Sequence, residues 1–222
     1  MADLDVVVVG AGFAGIYAVH ALRSSGLTVR AFEAGGGIGG TWFWNSYPGA
    51  RCDVESKDNA IVFATGFDAI SGALRQIDVR GASGVALADR WAAGPRAYLG
   101  IATPGFPNMF IVTGPGSPSV LSNMALSIEQ HVEWIRDCIG YLSAHGYATV
   151  EALPDAEDAW MAHVTEVAYS TLFPKADSWY IGANIPGKPR VFTTYVGGVG
   201  PYGSKCDEVA AAGYPGFALG AA

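Results

Sequence analysis

Cysteine is scarce in this chain. Cys52, Cys138 and Cys206 are scattered, odd in number and free of any CxxC or metal-ligand spacing. No disulfide framework or thiolate metal site follows from them, and reduced thiols in a cytoplasmic setting are expected. Basic residues are also few. Lys and Arg number 13 against 20 Asp and Glu, the net charge is −7, and no basic run exists. Nucleic acid is excluded as a partner, because gripping a phosphate backbone takes clustered cations. No apolar run reaches the roughly 20 residues that span a bilayer, so no membrane partner is expected. The opening Met1-Ala2-Asp3 lacks the basic n-region of a signal peptide. Internal repeats and low-complexity segments are missing as well. Glycine, by contrast, is abundant, with 30 residues in a chain of 222 that is 50% hydrophobic. That composition suits one large domain or two small ones, with a buried core and many turns.

The most telling glycines lie near the start. Val6-Val7-Val8-Val9 runs into Gly10-Ala11-Gly12-Phe13-Ala14-Gly15, and Glu33 closes a second apolar run. Strand, glycine turn, helix, strand and acid in this order form a dinucleotide fingerprint. Gly10 allows a tight turn, Gly12 lets a pyrophosphate approach the backbone, and Gly15 lets the helix pack close to the strand. The first N–H groups of the helix, with Phe13 and Ala14 in its opening turn, face the phosphates, and Glu33 accepts from a ribose diol. A glycine-rich βαβ turn that binds nothing is the alternative.

The rest of the chain divides by pattern. Strands are expected at Asp5–Val9, Thr28–Phe32, Asn59–Thr65 and Met109–Thr113, in a parallel sheet of spatial order second, first, third, fourth. A helix over Ala14–Ser25 carries Ile16, Val19 and Leu22 on one face and stops at Gly26. A glycine loop, Gly35–Gly40, precedes Trp42, Phe43, Trp44 and Tyr47, aromatics that either pack in a core or wall a flat ring. Ile70–Pro107 reads as irregular. An amphipathic helix spans about Asn123–Ala144, with Ile128, Val132, Ile135, Ile139 and Leu142 on its apolar face. A further helix runs from Asp155, as its cap, to about Phe173. Lys175–Tyr202 reads as loop, and Ser204–Ala212 as a last short helix. His131 reads as a surface or satisfied core residue rather than a catalytic one.

Longer strings carry a family resemblance. Gly39-Gly40-Thr41-Trp42-Phe43-Trp44-Asn45 with Tyr47-Pro48-Gly49-Ala50-Arg51-Cys52-Asp53-Val54-Glu55-Ser56 resembles the flavin-dependent Baeyer–Villiger monooxygenases, on their phenylacetone and cyclohexanone branch. So do Phe63-Ala64-Thr65-Gly66-Phe67-Asp68, Gly114-Pro115-Gly116-Ser117-Pro118, Ser127-Ile128-Glu129-Gln130-His131-Val132, and Trp179 with Gly182-Ala183-Asn184-Ile185-Pro186-Gly187-Lys188. Members of that family are more than twice as long. They carry an NADPH domain with its own glycine fingerprint and an F-x-G-x-x-x-H-x-x-x-W segment, and neither string occurs here. The family's catalytic arginine has no matching position either. The junction falls near Ser56–Asn59, so the chain reads as two family segments, 1–56 and 57–222, rejoined into a single domain. A minimised or engineered protein is the expectation, with a natural short homologue as the alternative.

The resemblance implies an α/β, doubly wound, Rossmann-like FAD-binding domain with a parallel sheet and a helical and loop C-terminal extension. Its cofactor is FAD, held by Gly10, Gly12, Phe13, Ala14, Gly15, Glu33, Gly40, Thr41, Trp42, Trp44, Tyr47, Cys52, Asp53 and Met124. Arg51 and Asp53 are the candidate catalytic groups, unless they form a salt-bridged loop anchor. Met124 lies near the ring at the start of the long helix, unless it is core packing. Trp179 resembles a residue that touches the nicotinamide. NADPH itself has no binding turn here. The implied partners are a ketone or oxygen, and an external reductant. The implied activity is residual flavin redox chemistry; the alternatives are a small working monooxygenase or reductase, or an FAD-binding scaffold.

Overall fold

The computed structural model describes residues 3–48, 71–118, 121–183 and 185–221. The chain divides into two compact units, Met1–Phe67 and Asp68–Ala222. The expected strand Asn59–Thr65 and the expected junction at Ser56–Asn59 lie outside the described residues.

The first unit is built on a parallel pair. Strand β1 (Val6–Val9) and strand β2 (Val29–Phe32) align with Val6 opposite Val29 and Val9 opposite Phe32. Asp5 fixes the register at the open end, since its carboxylate accepts from the Thr28 N–H at 2.7 Å and from the Thr28 hydroxyl at 2.5 Å. These bonds hold the Asp5 carboxyl below the usual carboxylate range. Between the strands lies helix α1 (Phe13–Ser24), which ends at Gly26, a residue at φ +87°. Its buried stripe is Gly15, Ala18, Ala21 and Leu22. The expected stripe was wrong in part, because Ile16 is 44% exposed. Small side chains let a helix lie near the strand backbones, which a face of Ile and Val would hold away. A one-turn helix, α2 (Thr41–Trp44), follows the glycine loop.

The second unit is mainly helical. Short helices α3 (Gly72–Gln76) and α4 (Leu87–Arg90) precede the long α5 (Met124–His145). Asn123 caps α5, its side-chain oxygen accepting from the Ala125 N–H at 3.0 Å, and Gly146 closes it at φ +71°. The expected apolar face is buried at Ile128, Val132, Ile135 and Leu142, and His131, Trp134 and Cys138 join it. Helix α6 (Pro154–Tyr169) starts one residue early and stops four short of expectation. Pro154 opens its first turn, where a missing N–H costs nothing, and Asp155 lies inside that turn rather than capping it. Single 3-10 turns at Phe173–Lys175 and Trp179–Ile181 punctuate the expected loop. Helix α7 spans Val199–Ala211, starting five residues earlier than expected.

Two elements were not foreseen. Strands β3 (Tyr147–Ala152) and β4 (Phe217–Ala221) pair antiparallel. The Asn108 side chain occupies the other edge of β3, donating to the Ala148 carbonyl at 3.0 Å and accepting from the Val150 N–H at 2.9 Å. The same residue explains why Met109–Thr113 is not the expected fourth strand. Asn108 and Thr113 sit at φ +59° and +56°, so left-handed residues bracket the segment. Only Ile111 is buried there, packed with Leu87, Trp91 and Phe106. Among the described residues, the sheets are therefore the parallel β1–β2 pair and the antiparallel β3–β4 pair. The α/β class with a parallel sheet holds.

Candidate nucleotide site

Every polar contact of the turn after β1 is made by backbone or by one carboxylate. Gly10 sits at φ +96°, and its N–H donates to the Phe32 carbonyl at 2.7 Å, which ties the turn to the end of β2. A Cβ at Gly15 would lie 2.0 Å from the Gly10 carbonyl oxygen. Only glycine lets α1 start that close to the strand. Gly12 caps α1 from an extended conformation, with no side chain bonded to the helix end and no acid in its first turn. The end of α1 thus offers unsatisfied N–H groups and the positive end of the helix dipole to an anion.

A second glycine loop covers the first. The Gly39 N–H donates to the Ala11 carbonyl at 2.8 Å. A Cβ at Gly40, which is at φ +56°, would lie 2.8 Å from the Gly12 Cα. A Cβ at Gly12 would point at the Gly40 Cα from 3.5 Å. The missing side chain at Gly40 therefore serves the contact between the two loops, whereas a Cβ at Gly12 would sit at an ordinary contact distance. The Phe43 ring fills the space beside Gly35 and Gly37.

Glu33 lies between the loops. Its Oε2 accepts from the Ala11 N–H at 2.6 Å and its Oε1 from the Gly35 N–H at 2.9 Å. Those bonds, that from Gly35 first, hold its carboxyl below the usual carboxylate range. The structure thus gathers Gly10, Gly12, Gly15, Glu33 and Gly40. Phe13 and Ala14 open α1 beside them, and Phe13 is 65% exposed. Thr41, Trp42 and Trp44 form α2, with Tyr47 just beyond, and all four side chains are exposed. None of these aromatics is core: Phe43 is 37% exposed and Trp44 64% exposed. Ala11, Gly35 and Gly39 were missed as site residues. Their contribution is purely main-chain, and side-chain identity carries no trace of it beyond smallness.

Arg51, Cys52 and Asp53 lie outside the described residues. Met124 belongs to the second unit, half-buried at the first position of α5. His131 is a satisfied core residue. It is fully buried, its Nδ1 accepts from the Thr113 N–H at 2.9 Å, and its Nε2 lies 2.6 Å from the Tyr202 hydroxyl. That hydroxyl donates to the Leu99 carbonyl at 2.5 Å, so Nε2 carries the imidazole proton and donates to Tyr202. Burial pushes the His131 pKa down to about 4. Among the described residues, no group of His, Cys, Asp and Glu is arranged to hold a metal, and no helix is long and apolar enough to cross a membrane.

A strand, a glycine turn, a helix and an acid at the end of the next strand are the parts of a Rossmann-type fold. Residues 8–69 match the NAD(P)-binding Rossmann-like domain family. The chain is a homologue of the flavin-dependent Baeyer–Villiger monooxygenases. It is 47% identical over 162 residues to the acetone monooxygenase (methyl acetate-forming) of Gordonia sp. (strain TY-5), covering 72% of this chain and 30% of that protein. It is 43% identical over 160 residues to a Baeyer–Villiger monooxygenase of Pseudooceanicola batsensis, covering 72% and 29%. A closed crystal structure of cyclohexanone monooxygenase superposes with a TM-score of 0.69 at 47% identity, covering 72% of this chain and 30% of that one. The chain thus spans about 30% of the length of these relatives.

Proposed function

We propose that this chain is an FAD-holding flavoprotein of the Baeyer–Villiger monooxygenase lineage, with the NADPH-binding part absent between its two family segments. The observation that carries the reading is the Gly10–Gly15 turn with Glu33. A glycine turn packed close against the helix start, an uncapped helix end and an ionised acid fit the ADP half of a dinucleotide. Gly10, Gly12, Phe13, Ala14 and Gly15 would hold the pyrophosphate by backbone, and Glu33 the ribose. Gly40, Thr41, Trp42, Trp44, Tyr47, Cys52, Asp53 and Met124 are assigned to the rest of the cofactor, and Arg51 and Asp53 to its reacting end. When bound, FAD supplies two-electron redox chemistry and reactivity toward oxygen.

No second phosphate-binding glycine turn follows the first in the sequence. A nicotinamide would therefore meet the flavin almost as a free reactant. Positioning of bound partners is worth roughly 7–11 kcal/mol of barrier in favourable cases, so NADPH should reduce this protein slowly and without saturation. An external reductant then supplies the electrons, and oxygen rather than a ketone is the main acceptor, giving hydrogen peroxide. These assignments suit a cytoplasmic protein with reduced thiols.

A flavin spectrum tests the reading. The protein, purified or reconstituted with FAD, should absorb near about 450 nm and release FAD on denaturation. Gly12→Val should abolish retention, because the branched side chain would occupy the space the pyrophosphate needs, while the circular dichroism of the second unit's helices persists. Full flavin content in that variant would refute the assignment of the turn. Fast, saturable bleaching by micromolar NADPH with ester formed from a ketone would refute the absence of a nicotinamide site.

A further inference from the structure

We infer that Glu33 shapes the pyrophosphate turn through the backbone, independently of any ribose hydroxyl. The inference rests on the reading of this turn as a nucleotide site. Both carboxylate oxygens already serve the main chain, Oε2 taking the Ala11 N–H at 2.6 Å and Oε1 the Gly35 N–H at 2.9 Å. Ala11 is 4% exposed, and its carbonyl accepts from the Gly39 N–H at 2.8 Å. The carboxylate thus ties the fingerprint turn to the start of the second glycine loop, and Ala11 ties it to the end. The near contact of the Gly12 and Gly40 backbones locks the same two segments from the opposite side. Turn and loop are one body with Glu33 as its joint.

The chemistry of the joint requires an ionised acid. A carboxylate only accepts, and each oxygen has two lone-pair sites. It can hold two N–H groups and still receive a ribose hydroxyl. A neutral amide of the same shape has one oxygen, and its NH2 would face one of the two N–H groups donor to donor. Glu33→Gln should therefore loosen the turn even for a ligand that has no hydroxyls to offer. Glu33 is then a positioning residue for the phosphates as well as a ribose acceptor.

The test is a cycle of two proteins and two nucleotides, ADP and 2′,3′-dideoxy-ADP, measured by calorimetric titration. Glu33→Gln should weaken dideoxy-ADP binding about tenfold, the scale of one lost charge-assisted hydrogen bond, and ADP binding by at least as much. An unchanged affinity of the variant for dideoxy-ADP would overturn the inference and leave the nucleotide site standing. Wild-type protein that binds ADP but not dideoxy-ADP would overturn it too, since the hydroxyls would then carry the binding. Wild-type protein that binds neither nucleotide would remove the site itself. If Glu33→Gln does not fold, amide exchange in the wild type decides. Ala11 and Gly35 should stay protected with and without ADP, whereas deprotection on binding would mean that Glu33 abandons the turn for the ribose.

Discussion

The two units of this chain use opposite means. The first organises its turn with main-chain hydrogen bonds, glycine contacts and one half-buried acid, and leaves large apolar side chains in the open. Val9 is 69% exposed and Phe32 51% exposed. The second buries a continuous aromatic and aliphatic cluster that includes Leu99, Trp134, Val164, Tyr202 and Val209. It also buries polar groups, of which His131 and Glu157 are matched to partners while the Thr194 hydroxyl is not. The difference follows from size and task. A short segment encloses little apolar area per residue, and a phosphate turn must keep N–H groups unsatisfied for its ligand. A helical core must do the reverse and pair most of what it buries. Substitutions in the second unit should therefore register as stability, and those in the first as ligand binding.

Glu157 gives the largest effect on that division. Its carboxylate is fully buried in α6, lies 2.5 Å from Arg90 and 2.8 Å from Arg96, and accepts from the Thr103 hydroxyl at 2.9 Å. It joins α4 and the loop after it to α6. Glu157→Ala would take from Arg90 its carboxylate and leave Arg96 only Asp158, with a cavity between the two guanidinium groups. Breaking a buried ion pair from one side costs about 3–5 kcal/mol. The arginines are 29% and 34% exposed, so solvent softens the loss toward the lower figure. Denaturant unfolding should show it, with ADP affinity unchanged once the protein is folded. A parallel loss of nucleotide affinity would break the division.

His131 should make the second unit sensitive to acid. Its folded pKa, lowered to about 4 by burial, lies below the unfolded value of about 6.5. The unfolded chain thus binds more protons through that window. Stability is complete above about pH 6.5 and falls as the pH drops toward 4, by up to roughly 3 kcal/mol if the whole shift is realised. Protonation at Nδ1 would also put a proton where the Thr113 N–H is received, and Thr113 holds a left-handed backbone. Unfolding followed at successive pH values should show the slope, and His131→Gln should flatten it at the expense of stability near neutrality. An equal slope in that variant would assign the acid sensitivity elsewhere.

What the sequence made legible follows the same line. The fingerprint could be read because each glycine answers a local backbone need, and the roles of Gly10 and Gly15 match the turn as it stands. The need for glycine at Gly40, against Gly12, depends on a turn more than twenty residues away and leaves no local pattern. Helix α5 was legible from its apolar period, yet the period could not show that His131 and Ser127 are buried too. Met109–Val112 is apolar like a strand, but Asn108 and Thr113 take left-handed conformations for tertiary reasons. Strands β3 and β4 were passed over because each is short and gains its order from the other, far along the chain. The family strings reached further than the physical patterns, since they reported residues such as Arg51 and Asp53 for which periodicity has nothing to say.

The smallest effect concerns the start of α5, which carries Met124. Asn123 satisfies the Ala125 N–H from its side chain, with Met124 between them. Asn123→Ala removes one cap, worth about 1 kcal/mol, while Asn123→Asp keeps the acceptor and adds a charge that suits the helix dipole. Thermal unfolding should therefore rank Asp at or above Asn, and both above Ala. If Met124 contacts bound flavin, fraying the first turn should also alter the flavin's visible spectrum in Asn123→Ala and leave it intact in Asn123→Asp. A lowered melting temperature with an unaltered spectrum would return Met124 to ordinary packing.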